Sequence, residues 1–271
     1  MIRRILVYAL LIIGCVLAIL PFVITTFASL KTMPEIIQGV FSLPDSPNWD
    51  NYRQAWIQGR FGRFFVNSTV VAFAVTIPSV FLSAMSGFAF ARFDFRGKGV
   101  LFGFLLLGLV VPLQALVIPL YYLLRELHLL DSLWALIVPQ IAMSMSFGTL
   151  LMRQAFLAVP RDVAEAATLD GATSWQSLWH IMFPLSRPMI GTLGLLFFIW
   201  TWNEFLLPLV VNIDPDYHTL PVGLLAFQQR WTSNLPLIAA GATIIFIPLV
   251  VAFLVFQKQL VRGLTEGALK G

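Results

Sequence analysis

The chain has 271 residues, of which 59% are hydrophobic and only 11% are charged, and its formal net charge is +4. Its mean hydropathy of +0.86 is too high for an ordinary soluble domain. The sequence has no basic run of the kind that binds nucleic acid, and a single cysteine, Cys15, excludes an intrachain disulfide. These properties indicate a membrane protein.

Long uncharged runs predict the membrane-spanning segments. About 20 apolar residues are needed to cross the hydrocarbon, and lipid offers no hydrogen bonds to an open backbone, so each run predicts a helix. The predicted spans are residues 5–30, 64–91, 99–124, 132–152, 188–213 and 232–257. We therefore expect one all-α, polytopic transmembrane domain with six helices.

The first predicted span follows the basic start MIRR, which is also the pattern of a cleaved secretion signal. However, its apolar run is longer than the roughly 7–15 residues usual in such signals. The sequence TFASLK after it is only a fair match to a cleavage site. We expect an uncleaved anchor.

The distribution of basic residues predicts the orientation of the spans. Eleven Lys and Arg residues flank the spans on the side that carries both termini, and six flank them on the other side. Basic residues are in excess in cytoplasmic loops, so both termini are expected in the cytoplasm. Residues 153–187 then form a cytoplasmic loop, while 31–63 and 212–234 form external loops.

The cytoplasmic loop has the pattern of two short helices joined by a turn. Asp170-Gly171 is a turn pair that can end the first helix. Thr173 and Gln176 have the spacing of a capping box for the second helix, which Pro184 is expected to end. Its predicted apolar stripe consists of Trp175, Leu178, Trp179 and Met182. From the residues alone, an amphipathic loop lying on the membrane surface explains this pattern equally well.

One carboxylate, Glu204, falls inside the fifth predicted span. An ionisable group in a membrane is expensive and usually faces a cavity or a partner. Together with Trp202, Asn203 and, more weakly, Gln114, it is a candidate to line a substrate path. A carboxylate that pairs with a neighbouring helix or reaches the interface is an equal alternative.

The sequence carries none of the motifs that would make this chain an ATPase or a metal protein. The phosphate-binding pattern G-x-x-x-x-G-K-[ST] is absent, and so is H-E-x-x-H. The three histidines, His128, His180 and His218, are far apart. We therefore expect no catalytic residue, no bound metal and no cofactor in this chain.

Several stretches resemble one family. EAATLDGATSWQSLWHIMFPLSRP resembles the EAA loop of the permease subunits of ABC importers. The stretches GFAFARFDFRGK, WNEFLLPL and VRGLTEGALKG resemble the maltose-type, carbohydrate branch of that family, in order over nearly the whole chain. The resemblance implies the type I ABC importer permease fold in a bacterial or archaeal cytoplasmic membrane. One departure is Glu266, where the family more often has a small residue.

The resemblance also implies a function and a set of partners. The chain would pair with a second permease, as a heterodimer, to form the path for ATP-driven uptake of a sugar or oligosaccharide. An extracytoplasmic binding protein would deliver the solute, and two cytoplasmic ATPase subunits would bind ATP and Mg²⁺. A non-sugar solute, such as a glycerol-phosphate or a polyol, is the alternative substrate.

The resemblance further implies roles for individual residues. Glu165 would meet a basic group of the ATPase, Ala166 and Ala167 would allow close packing, and Asp170 and Gly171 would form the turn. The tail would contact the ATPase through Arg262, Glu266, Gly267 and Lys270.

Two other classes of protein fit the sequence less well. A secondary transporter would show paired repeats with broken helices at matching positions. A membrane-embedded enzyme would need an acid/base pair or a metal cluster. Neither pattern is found in the sequence.

Overall fold

The computed structural model describes residues 2–228 and 234–268, with the backbone only for 2, 161, 164, 262 and 264–268. These residues are largely helical and contain no β-strand, which confirms the predicted all-α class. The helices are α1 (Ile2–Ser29), α2 (Met33–Gln38), α3 (Asp50–Gln58), α4 (Phe61–Arg92), α5 (Lys98–Leu107), α6 (Leu113–Glu126), α7 (Trp134–Ala158), α8 (Arg161–Leu169), α9 (Ser174–Leu185), α10 (Arg187–Asn203), α11 (Leu206–Val211) and α12 (Leu235–Ala268). Two 3₁₀ helices, Pro215–Tyr217 and Leu220–Phe227, precede α12.

Within the described residues, four single helices are long and apolar enough to cross a membrane. They are Arg3–Ser29, Phe61–Arg92, Trp134–Ala158 and Leu235–Val261. These helices match the first, second, fourth and sixth predicted spans, although the expected start of the sixth, at 232, lies outside the described residues. The other two predicted spans are each divided into two helices. Six spans and cytoplasmic termini therefore stay predictions.

The third predicted span, 99–124, is interrupted between α5 and α6. α5 ends at Leu107, and α6 begins after Pro112, whose backbone is extended at φ −72° and ψ 142°. In a continuous helix the ring of Pro112 would clash with the carbonyl of Gly108, four residues earlier. The apolar run is as long as expected, but its backbone is not one helix.

The fifth predicted span, 188–213, is interrupted between α10 and α11. α10 ends at Asn203, and Glu204 has an extended backbone at φ −64° and ψ 121°. In a continuous helix the ring of Pro208 would meet the carbonyl of Glu204. The carboxylate therefore lies at a break rather than along the face of a helix.

The chain divides into two compact units, Met1–Phe65 with Leu220–Pro248, and Val66–Thr219 with Leu249–Gly271. In the first unit, the most apolar part of α1 is fully exposed. An exposed apolar surface of this size requires cover by lipid or by another protein.

The segment that follows α1 in the first unit is folded around a buried lysine. Lys31 is fully buried, and its Nζ donates hydrogen bonds to Gly39 O at 2.7 Å and to Ser42 Oγ at 2.9 Å. The side-chain amide of Asn51 donates to the carbonyls of Ser29 and Lys31, each at 2.8 Å. A buried ammonium is costly unless it is paired in this way. The predicted external loop therefore begins as an ordered structure.

In the second unit, α4 and α7 pack side by side and run in the same direction. Ser86 Oγ and Thr149 Oγ1 are hydrogen-bonded at 2.6 Å. Further along both helices, the rings of Phe88 and Phe156 meet edge to face with centroids 6.0 Å apart. Residue numbers rise together along the contact, so the two helices are parallel and their C-termini lie at the same end.

Two glycines allow this close approach. A Cβ on Gly87 would lie 2.6 Å from Met152 Cβ and 2.8 Å from the backbone nitrogen of Arg153. A Cβ on Gly148 would overlap the side chain of Ser83. Small residues at a helix contact let backbones approach closely, which strengthens packing between membrane helices.

The C-terminal part of α12 is more regular than its glycine content predicts. Gly263 and Gly267 each disfavour a helix, and yet α12 continues to Ala268. Gly263 is buried, and a Cβ there would lie 3.1 Å from Pro188 O and would also overlap Thr192 Oγ1. Thr192 Oγ1 donates to Gln259 O at 3.1 Å. Each glycine costs a helix about 1 kcal/mol, and here packing against α10 in the same chain opposes that cost.

The α4–α7 contact leads to a stability prediction. Gly87→Ala and Gly194→Ala both favour the helix by about 1 kcal/mol, but the added methyl at Gly194 has nothing within 4 Å. At Gly87 it would displace backbone, and overpacking costs about 1–3 kcal/mol. We expect Gly87→Ala to unfold at a lower temperature than Gly194→Ala in detergent, measured on the purified chain. Equal unfolding temperatures would contradict the close approach of the two helices.

Candidate coupling site

α8 is a short helix with one exposed side. It begins after Pro160, which has an extended backbone. Asp162 lies in its first turn, where the partial positive charge of the helix N-terminus stabilises a carboxylate. Its exposed residues include Val163, Glu165, Ala166, Leu169 and the following Asp170. Leu169 is 88% exposed, whereas Ala167 is only 7% exposed. Of the two predicted packing alanines, Ala166 is therefore open to a partner and Ala167 is buried within the chain.

The turn after α8 has the geometry of a Schellman motif. Gly171 has φ +81°, the left-handed conformation that glycine adopts without strain. Gly171 N donates to Thr168 O at 3.0 Å, and Ala172 N donates to Ala167 O at 2.9 Å. This geometry agrees with the turn predicted for Asp170-Gly171. The role of these residues in coupling stays a prediction.

The second helix of the loop, α9, begins with the predicted capping box. Thr173 N donates to Gln176 Oε1 at 2.8 Å, and Gln176 N donates to Thr173 Oγ1 at 3.3 Å. α9 then meets α10 at an angle of 81°. The capping box and the Schellman turn together fix both ends of the connection between α8 and α9.

The middle of α9 differs from the predicted regular helix. Ser177–Met182 forms a π-helix, in which Phe183 N donates to Leu178 O, five residues earlier. Pro184 lies inside the helix and not at its end, and a wider turn reduces the clash of its ring with the preceding carbonyls. Leu178 and Met182 are buried as expected, but Trp175 is 58% exposed. The predicted stripe is therefore only partly buried.

One residue near this loop is missed by the sequence analysis as a site residue. Arg92 belongs to the stretch GFAFARFDFRGK but is not among the predicted site residues. Its guanidinium donates to Phe156 O at 3.0 Å and to Val159 O at 2.9 Å, next to the start of α8. An arginine in the last turn of a helix is a sequence signal for contact with that helix's own last carbonyls, but here the carbonyls belong to the end of α7.

Glu204 has a local partner in the structure. Its half-buried carboxylate accepts a hydrogen bond from Leu207 N at 3.0 Å, in the first turn of α11. Asn203 is exposed and donates to Ile199 O at 2.8 Å, whereas Trp202 is only 2% exposed. Glu204 thus caps a helix at a break in the span. A place on a substrate path stays a prediction for these residues.

The remaining candidate residues are dispersed. Gln114 is exposed in the first turn of α6 and, within the described part of the chain, forms no hydrogen bond with Glu204. The backbone of Arg262, Glu266 and Gly267 belongs to α12, and Lys270 lies outside the described residues. Among the described residues, no three His, Cys, Asp or Glu side chains are grouped so that they could hold a metal ion.

Comparison with known proteins identifies relatives along nearly the whole chain. The chain is 35% identical to the probable ABC transporter permease protein YurM of Bacillus subtilis, over 93% of this chain and 83% of that protein. It is 31% identical to the diacetylchitobiose uptake system permease protein NgcG of Streptomyces coelicolor, over 97% of this chain and 88% of that protein.

The fold also matches a solved structure. A chain of a bacterial ABC transporter involved in the import of the acidic polysaccharide alginate superimposes with a TM-score of 0.79 and 24% identity, over 95% of this chain and 96% of that one. The family model of the binding-protein-dependent transport system inner membrane component matches residues 79–266, from the middle of α4 to the end of α12. The chain therefore belongs to this family, as a multi-pass permease subunit of the inner membrane.

Proposed function

We propose that this permease subunit and a second, different permease form the path for ATP-driven uptake of a sugar or oligosaccharide. An extracytoplasmic binding protein delivers the solute, and two cytoplasmic ATPase subunits, which carry ATP and Mg²⁺, supply the energy. The observation that carries the proposal is the loop of α8 and α9. It presents a short exposed helix held at its end by a Schellman turn and a capping box.

A sugar is the substrate class best supported by the relatives. NgcG is a permease of a diacetylchitobiose uptake system, and its similarity extends over 97% of this chain. The spans of a permease pair form its path. All six predicted spans lie at least partly in the region of this chain that is similar to NgcG.

The substrate class can be tested on the purified complex. The two permeases, the ATPase and the binding protein are reconstituted together, and ATP hydrolysis is measured with a panel of sugars, polyols and glycerol-phosphates. We expect a sugar or oligosaccharide to stimulate hydrolysis. Stimulation by a polyol or a glycerol-phosphate alone would exclude the sugar assignment and keep the transport assignment.

α8 has the chemistry of a helix that docks into a cleft. Its exposed side combines the apolar Leu169 and Val163 with the carboxylate of Glu165 and the small side chain of Ala166. An apolar floor and a basic group in the ATPase would complement this surface. A short rigid helix can transmit a domain motion to the spans to which it is attached.

The coupling role predicts a specific loss of function. Gly171→Val should strain the turn, because a β-branched residue resists φ +81°, and Glu165→Lys should reverse the charge that meets the ATPase. We expect both variants to insert normally, to lose uptake and to co-purify poorly with the ATPase. Gly171→Asn is the matched control for the turn, since asparagine tolerates positive φ. Normal transport by both variants would remove the coupling assignment.

The break at Glu204 is the proposed place where the path reaches this chain. Helix breaks at membrane depth are tolerated where the irregular backbone is buried in protein or lines a water-filled cavity. The exposed Asn203 and the half-buried Glu204 are adjacent at this break. The alternative is that Glu204 acts only as the cap of α11.

Cysteine accessibility distinguishes the two roles of Glu204. In a Cys15→Ser background, Glu204→Cys and Asn203→Cys are treated with a small polar thiol reagent in the assembled complex, with and without nucleotide. We expect both to react and the rate to change with nucleotide. Leu207→Cys, at a position that is 0% exposed, is the unreactive control. No reaction at either position in any state would leave only the capping role.

The proposed tail contact with the ATPase involves Arg262, Glu266, Gly267 and Lys270. Packing of Gly263 against α10 supports the proposal, because it fixes the point from which the tail extends. Arg262 and Lys270 would pair with acidic groups of the ATPase, and Glu266 with a basic group or with solvent.

A further inference from the structure

The coupling loop, by which we mean the segment formed by α8 and α9, is contacted at its base by a side chain of α4. Arg92 is in the last turn of α4. Its Nη2 donates to Phe156 O at 3.0 Å and to Val159 O at 2.9 Å, and it lies 3.9 Å from Met182 Sδ. Phe156 and Val159 precede α8, whereas Met182 follows it in α9. A single guanidinium therefore contacts both the entry and the exit of the loop.

The carbonyls that accept these bonds have no alternative partner in the helix ladder. The carbonyl of Phe156 would accept the N–H four residues later, but that residue is Pro160, which has none. Val159 ends α7 with an extended backbone, at φ −74° and ψ 129°. The C-terminal end of a helix carries partial negative charge, so a cation is favoured there. Pro160 thus leaves the carbonyl of Phe156 without a donor from its own helix, and Arg92 supplies one.

A second arginine makes the reverse connection. Arg153 of α7 donates from Nε to Phe90 O in the last turns of α4 at 3.3 Å. Its guanidinium also lies over the ring of Phe102, with 4.7 Å between Cζ and the ring centroid. α4 and α7 each supply a cation to the C-terminal carbonyls of the other, which is possible only because the two helices are parallel.

Apolar packing surrounds these polar contacts. One buried cluster includes Phe88 of α4, Met152 and Phe156 of α7, and Leu178 and Met182 of α9. Met152, Phe156 and Met182 are fully buried. Closely packed interiors transmit displacement and do not absorb it. The ends of α4 and α7 and the π-helical part of α9 are therefore expected to move together.

We propose that Arg92 is a positioning residue for energy coupling: it binds the coupling loop to α4, so that α4 is displaced together with α8. This inference rests on the proposed function of α8. Arg92 does not touch the ATPase or the solute in this assignment. It acts by joining the loop to a span.

The simplest alternative is that Arg92 only contributes to orientation as one positive charge. Arg96 provides the matched control for that role, because it is exposed and lies four residues later, in the connection between α4 and α5. Arg92→Met keeps an unbranched stem and removes every donor. Arg96→Met removes the same charge without disturbing the carbonyl contacts.

The first measurement is ATP hydrolysis by the complete reconstituted complex. We expect Arg92→Met to assemble with the ATPase and to keep basal hydrolysis, but to lose stimulation by solute-loaded binding protein by about tenfold, within the usual range of coupling between sites. Arg92→Lys should recover stimulation, since its ammonium also donates to carbonyls. Arg96→Met should behave as the wild type. Wild-type stimulation by Arg92→Met, or equal loss in Arg92→Lys and Arg92→Met, would overturn the proposal.

The second measurement tests joint movement directly. Asp94→Cys and Ser174→Cys, both at exposed positions, are spin-labelled in a Cys15→Ser background of the complex. We expect a narrow distance distribution that nucleotide does not change. With Arg92→Met it should broaden or shift on nucleotide addition. A distance that changes with nucleotide in the parent, or that is unaffected by Arg92→Met, would overturn the inference.

Failure of this inference differs from failure of the coupling assignment. If α8 couples but Arg92 does not position it, Gly171→Val abolishes uptake while Arg92→Met is normal. If α8 does not couple, Gly171→Val transports normally whatever Arg92→Met does.

Discussion

The close parallel packing of α4 and α7 is the constraint on which the rest of the second unit depends. At Gly87 the two backbones are so near that a methyl group would overlap Met152 and the backbone of Arg153. Because the helices are parallel, their two sets of unpaired C-terminal carbonyls lie at the same end. That end needs cations, and Arg92 and Arg153 supply them. The chain leaves α7 at this point to form α8, so the position of the segment formed by α8 and α9 follows from the contact between α4 and α7.

The breaks in two predicted spans depend on local chemistry that hydropathy does not contain. Pro78 and Pro139 lie inside the continuous helices α4 and α7, whereas Pro112 and Pro208 accompany breaks. A proline alone therefore does not decide where a helix ends. At the second break, the carboxylate of Glu204 accepts the N–H of Leu207 and satisfies a donor that a continuous helix would have paired. The break leaves the N–H of Leu207 without its helical acceptor, and Glu204 stabilises the break by accepting that N–H.

The local pattern of the sequence is sufficient to predict the four long apolar helices, the turn at Gly171 and the capping box of Thr173 and Gln176. These features depend on residues that are close in the chain, so their spacing carries the information. The burial of Lys31, the π-helical turn and the grip of Arg92 on Phe156 and Val159 depend on residues that only the fold brings together. The contact of Arg92 is predictable only in part: Pro160 leaves the carbonyl of Phe156 without a donor within its own helix, but the donor that pairs with it comes from another helix.

The connections of α8 also explain how an exposed helix of only nine residues can keep a fixed conformation. An isolated helix of this length is marginal in water, because its nucleation cost exceeds what so few residues recover. α8 is instead fixed by its surroundings: its start follows the carbonyls held by Arg92, and its end passes through the Schellman turn into the capped start of α9. α9 in turn buries Leu178 and Met182 among side chains of α4, α7 and α10. If α8 has the proposed coupling role, a force on its exposed side would meet these connections at both ends, and we expect the ends of α4 and α7 to be displaced together with it.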